Sequence, residues 1–218
     1  MLPLNLGLPA GRRLSVLCLG AHCDDIEIGC GGTMLSLAAE RPDTEFRWVV
    51  LSSDPVRAAE ARAGAEVFLA KARARTLSIE SFRNGWFPWA GGEIKEYFEG
   101  LKKQVSPDLV FTPWREDRHQ DHRVVSDLTW NTFRDHTILE YEIPKYDGDL
   151  GRPNLYVPLG AAVAAEKARL VTTVYRSQAD KSWMTEETFR ALLRLRGIEC
   201  NAPSGYAEAF HARKVVLG

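Results

Sequence analysis

Residues Leu14-Ser15-Val16-Leu17-Cys18-Leu19-Gly20 form a near-continuous apolar run. Such a run suits a strand buried on both faces, and a strand of that kind belongs in a parallel sheet covered by helices. The rest of the first two-thirds repeats the theme. Gly29-Cys30-Gly31-Gly32-Thr33 opens a helix through about Glu40, and residues 46–52 read as a second buried strand. Asp54-Pro55 supplies a cap and a first-turn proline for an Ala-rich helix over about 56–72. A short strand at 76–81 is followed by the loop Trp86-Phe87-Pro88-Trp89. A helix over 93–105 then has apolar residues at 94, 97, 98, 101 and 105. Residues 108–112 form a fourth strand; a long polar loop, a helix near 121–134 and a fifth strand at 137–142 complete the pattern.

This βαβαβαβαβ alternation predicts an α/β fold: a Rossmann-like, doubly wound, mostly parallel sheet with helices on both faces. Right-handed crossovers favour the strand order 3-2-1-4-5, in which strands 1 and 4 are neighbours where the winding reverses. Ligands bind outside the carboxyl ends of the strands at that reversal. The C-terminal third is different. Residues 144–158 read as loop, with helices expected at 161–175 and 186–196. The expectation is one domain over 1–218, a core of 1–142 with an extension, 143–218, that shapes the pocket rim.

Composition narrows the function. A formal charge of −1 gives no electrostatic case for nucleic acid or an anionic membrane. The densest basic segment, residues 71–75, reads as the solvated end of a helix. No apolar run approaches the about 20 residues of a membrane span, so no transmembrane segment is expected. Residues 1–13 lack a signal-peptide pattern. Cys18, Cys23, Cys30 and Cys200 show no CxxC pair, which argues against a disulfide framework or a thiolate zinc knuckle and makes a reducing cytoplasm the simplest home.

Two clusters carry chemistry. Ala21-His22-Cys23-Asp24-Asp25 follows strand 1, and His119-Gln120-Asp121-His122 follows strand 4. A catalytic zinc takes three protein ligands and keeps one position open. His22, Asp25 and His122 supply two nitrogens and an oxygen. Asp24, His119 and Asp121 are then uncommitted: Asp24 suits a general base, a cationic His119 an oxyanion partner, and Asp121 the group that orients that histidine. Taken singly, an Asp-Asp pair after a strand is most often a helix cap and a lone histidine is structural. The convergence at neighbouring strand ends is what favours metal. Gly29, Gly31 and Gly32 admit a rival reading as a phosphate cradle, but no GxGxxG or GxxxxGK[ST] is present. Asp24, Asp25 and Glu27 would also repel a pyrophosphate. Close helix–strand packing explains the glycines better.

These residues carry a resemblance. Residues 21–33 (AHCDDIEIGCGGT) and Glu116-Asp117-Arg118-His119-Gln120-Asp121-His122 resemble the two signatures of the LmbE-like (PIG-L type) zinc N-deacetylases. Arg57-Ala58-Ala59-Glu60-Ala61 is similar to that family's RxxEA element. Tyr175-Arg176-Ser177-Gln178 and Tyr206-Ala207-Glu208-Ala209-Phe210 are similar to its YxSQ and YAE(G/A)F segments. Cys23 stands where the family's first motif has proline. The resemblance implies one zinc per chain, or another divalent transition metal, held by His22, Asp25 and His122. It implies Asp24 as base, a protonated His119 paired with Asp121, and Arg57 as a substrate contact. The implied reaction removes the N-acetyl group from an N-acetylglucosamine-type conjugate, a small-molecule amino sugar, by attack of metal-bound water.

A metal hydrolase of a non-sugar amide or ester, and a binding module without turnover, are the alternatives. Trp86, Trp89 and Trp114 lie on loops at strand carboxyl ends, where an indole can pack on a sugar ring; Trp114, between strand 4 and the second cluster, is the first choice. His136 is given no role, and His211 reads as structural. Glu140, Glu142 and the 146–149 loop either line a channel or form a solvated edge. Oligomeric state is left open, a homo-oligomer included.

Overall fold

The central strand β1, Ser15–Gly20, feeds both sides of the sheet, which is why its sequence shows no polar alternation. Val16 and Cys18 enter one core with Trp48, Phe68 and Tyr175. Leu17 and Leu19 enter the other with Val49, Phe98 and Val125. The chain is seen in a computed structural model that describes residue 7 and residues 11–216. The expectation for the N-terminal leader region falls largely on residues 1–6 and 8–10, outside the described residues.

The order along the chain is β1, α1 (Asp25–Glu40), β2 (Glu45–Val50), α2 (Pro55–Phe68), β3 (Ala74–Ile79), a 3-10 turn at Phe87–Trp89, α3 (Gly91–Lys102), β4 (Leu109–Pro113), α4 (Gln120–Thr132) and β5 (Thr137–Tyr141). There follow β6 (Leu155–Leu159), α5 (Ala161–Val174), a 3-10 turn at Arg176–Gln178, α6 (Glu186–Glu199) and β7 (Tyr206–Ala212). The sheet runs β3-β2-β1-β4-β5-β7-β6. Its first five strands are parallel in the expected order, and β7 pairs antiparallel with both β5 and β6. Helices α1, α2 and α5 pack together, as do α3 and α4. No helix among the described residues is long and apolar enough to cross a membrane.

The C-terminal third departs most from expectation. Residues 144–158, read as loop, contain most of β6, and β7 is an addition to the expected elements. Pro158 disguises β6, yet a proline is tolerated on an edge strand whose only neighbour is β7. Helix α1 also begins four residues before the glycines, so these lie inside it rather than in a turn. A Cβ at Gly29 would sit 2.1 Å from the Tyr141 ring, and one at Gly31 2.5 Å from Phe68. Close packing is their reason.

A buried ion pair binds the C-terminal strands to the core. Lys167 on α5 donates to Glu208 on β7 at 2.5 Å and to the Ile28 carbonyl at 2.6 Å. Glu208 accepts from the amides of Gly32 and Thr33 and from the Thr33 hydroxyl. Both charges are therefore paired and hydrogen-bonded, the condition for burying them.

Candidate metal centre

Parallel pairing of β1 with β4 sets their carboxyl ends side by side, and both chemistry-bearing segments leave from there. Beyond Gly20 the chain turns and enters α1 at Asp25, which secures the turn by accepting from the His22 amide at 2.8 Å. Asp24 takes the cap position without capping. Its carboxylate lies 2.7 Å from Arg57 Nη2, reaching over from the first turn of α2, off the N–H axis. Carboxylates are favoured at this helix terminus by the unpaired backbone N–H groups. After β4, His119 caps α4 by accepting the Asp121 amide on Nδ1 at 3.2 Å, which brings Asp121 and His122 into the first turn.

Three side chains converge. His22 Nδ1 is 3.1 Å from His122 Nε2 and 3.6 Å from Asp25 Oδ2; His122 Nε2 is 3.4 Å from Asp25 Oδ1. Ligands at about 2.0–2.2 Å from one tetrahedral ion are about 3.3–3.6 Å apart, so the two edges to Asp25, one to each of its oxygens, are of ligand length and the imidazole edge is shorter. The outer ring nitrogens are already committed. His22 Nε2 meets Asp121 Oδ2 at 3.2 Å, and His122 Nδ1 meets Asp117 Oδ2 at 2.8 Å. A carboxylate on one ring nitrogen fixes the tautomer and turns the other nitrogen's lone pair inward. The two inner nitrogens face one another beside a carboxylate, an arrangement that a shared proton or a bound cation can bridge. The donor set fits zinc or a similar divalent ion. His119 borders the same space: one nitrogen each of His22, His119 and His122 lies within 4.8 Å of the others, so these three imidazoles also form a group that could hold a metal ion.

The electrostatics follow from this crowding. Burial alone opposes charge on His122, but Asp25 and Asp117 hold its pKa up to about 10. Burial likewise opposes the Asp25 carboxylate, yet His122 and His22 keep it well below the ordinary value. His119 is held down to about 4 by burial and by the two neighbouring imidazoles. That direction runs against the cationic form expected for His119, and its Nδ1 accepts from the Asp121 amide. Nor does the Asp121 carboxylate face His119. It is turned to His22 and accepts from the amides of Gly85 at 2.6 Å and Phe87 at 3.1 Å.

Other expected residues scatter around this centre. The Cys23 thiol donates to the Ser52 carbonyl and is pushed up to about 12 by burial, so it is an inert core thiol. Trp114 stacks on His211 at 4.4 Å between centroids and 7° between planes. Trp114 also lines a cleft of about 590 Å³ with Arg118, Asp147 and Leu150. Trp86 and Trp89 stand exposed beside the 85–87 turn. Glu140 and Glu142 form no solvated edge: each is buried and ion-paired, with Arg115 and Arg196 respectively. Glu60 of the RxxEA element accepts from the amide and hydroxyl of Ser177, and Tyr175 donates to Glu27. The Tyr-Arg-Ser-Gln segment is thereby clamped to α1 and α2. Asp117 is a residue that sequence reasoning missed; it stands inside the second motif, but nothing in the sequence shows which side chain it supports.

Residues 17–133 match the PIG-L family, described as GlcNAc-PI de-N-acetylase, and this is more than half of the chain. The chain belongs to the PIG-L family. The PIG-L chain is also similar in structure to the conserved protein TT1542 from Thermus thermophilus. Identity is 23%, TM-score 0.71, and 94% of this chain and 97% of that one are covered. For N,N'-diacetylchitobiose deacetylase from Pyrococcus horikoshii the identity is 22% and the TM-score 0.71, covering 95% and 86%. For GalB, the 4-carboxy-2-hydroxymuconate hydratase of Pseudomonas putida, they are 17% and 0.70, covering 94% and 98%. Likeness at this level gives the PIG-L chain its fold; a deacetylase and a hydratase share it, so the chemistry has to be argued from the site.

Proposed function

We propose that this chain is a metal-dependent N-deacetylase that removes acetyl from an N-acetylglucosamine-type amino sugar conjugate, with zinc held by His22, Asp25 and His122. One observation carries the reading: two imidazoles, each with its outer N–H on a carboxylate, turn their remaining nitrogens toward each other beside Asp25. Bound there, zinc supplies a Lewis acid that makes water acidic and polarises a carbonyl.

The chain's own groups do the rest. Asp24 is buried, adjacent to a ligand and 2.7 Å from Arg57; it takes the proton of the attacking water and returns it to the departing amine. Arg57, paired with Asp24 through Nη2, is the substrate contact in this reading. His119 Nε2–H donates to the oxygen on which negative charge develops. Asp121 holds His22 in the tautomer the metal needs, and Trp114 offers a face of the neighbouring cleft to the sugar or to the group it carries.

The test is acetate release from a panel of N-acetylglucosamine conjugates, alongside N-acetylated non-sugar amides and esters, with the metal content of the purified protein measured in parallel. Acetate from the sugar conjugates in metal-loaded protein, abolished by a chelator, is the expected result. Turnover confined to the non-sugar compounds would move the assignment to a general amide or ester hydrolase. A protein that takes up no divalent ion would end the metal reading.

A further inference from the structure

Loop 143–151 sends one long side chain back toward the metal centre. Lys145 Nζ lies 2.9 Å from Asp117 Oδ2, the same oxygen that receives His122 Nδ1, and 2.7 Å from Asp149 Oδ2. Asp149 Oδ2 in turn accepts the Arg118 amide at 2.7 Å, while Asp117 Oδ1 accepts the His119 amide at 2.7 Å. The Lys145, Asp117 and Asp149 side chains are all more than nine-tenths buried, at 8%, 3% and 7% exposure. This is no surface salt bridge, which would hold little. One ammonium joins two carboxylates, and between them these fix consecutive points of the segment carrying His119 and His122.

We infer that Lys145 is a positioning residue: it locks Asp117, and through Asp117 the ring of His122, to the loop that walls the neighbouring cleft. The inference rests on the proposed role of His122 as a metal ligand. Lys145 touches neither the metal nor the substrate. It sets the direction from which an imidazole lone pair is offered, a role for which partners of metal ligands matter by about 10–100-fold in affinity.

The experiment is competition for zinc between a chromophoric chelator and the folded protein, well below its melting temperature, for wild type, Lys145→Met and Lys145→Arg. Zinc affinity is expected to fall about tenfold or more in Lys145→Met and to recover largely in Lys145→Arg. In turnover, kcat is expected to fall while KM changes little. A merely structural lysine would lower the melting temperature and leave the zinc affinity of the folded protein alone. Unchanged or tighter zinc binding by Lys145→Met overturns the inference, since removing a nearby positive charge without loss of alignment favours a cation. If that variant does not fold, Asp149→Asn, which frees the outer anchor and keeps the lysine, carries the test: weaker zinc binding supports the inference and equal binding overturns it. Failure of the wild type itself to bind zinc would instead refute the metal-ligand reading.

Discussion

Asp24 and Glu27, three residues apart on one helix, are carboxyls in opposite circumstances. Asp24 has an arginine beside it; Glu27 is fully buried with only the Tyr175 hydroxyl and an orphaned second oxygen. Asp24→Asn is therefore expected to bind metal as the wild type does and to lose about 10²–10⁴-fold in kcat, the range for a proton-transfer group. Metal analysis beside single-turnover acetate release checks both halves, and full activity would remove Asp24 from the mechanism. Glu27 is pushed up to about 8, chiefly by burial. Its folded-state pKa exceeds the unfolded one, so the folded state keeps a proton that the unfolded state has lost. Its stabilising contribution is complete at low pH and is lost as pH rises from about 4.5 to about 8, with a slope of up to about 1.4 kcal/mol per pH unit. Urea titrations across that window should show this slope in the wild type and not in Glu27→Gln. Parallel curves would mean that Glu27 is ionised in the fold.

At the scale of elements, helix α1 lies so close to its neighbours that side chains are excluded from part of its surface. Gly29→Ala would put a methyl 2.1 Å from the Tyr141 ring, whose hydroxyl is anchored on the Leu19 carbonyl. Overpacking of this kind costs about 1–3 kcal/mol. Gly100 on α3 has nothing within 4 Å of a Cβ, and Gly100→Ala should gain up to about 1 kcal/mol from helix propensity alone. Opposite shifts of the two urea midpoints are expected; a neutral Gly29→Ala would show that α1 moves away from β5 at small cost. Strand β7 presents another kind of constraint. Glu208, in the middle of it, has its charge balanced by Lys167 from α5 and its oxygens hydrogen-bonded by Gly32 and Thr33. Lys167→Met should cost about 3–5 kcal/mol by stranding that charge, measured by chemical denaturation.

Across the whole molecule, what the sequence reveals depends on how far apart the interacting residues are. Strands β1 to β5 and their order were legible because a doubly buried strand has to be apolar throughout, as residues 14–20 are. Strands β6 and β7 were not: Pro158 signals a break, and the alternation Ala-Glu-Ala around Glu208 makes sense only once Lys167 is known. The centre divides in the same way. His22, Asp25 and His122 stand out because they sit at strand ends beside other acids, whereas Asp117 is one acid among several and Lys145 lies in a segment with no local pattern. The partner of Asp121 was not legible because the carboxylate is claimed by a turn some 36 residues earlier in the chain. That arrangement has a practical consequence for anyone who wishes to alter what the enzyme accepts. Residues 82–90, with their exposed indoles, look like an interchangeable part, but two of their amides hold the carboxylate that orients His22. A graft that alters the backbone at 85 or 87 would take donors from Asp121 and disturb the proposed metal centre, so a designer should preserve those two donors and vary only the side chains around them.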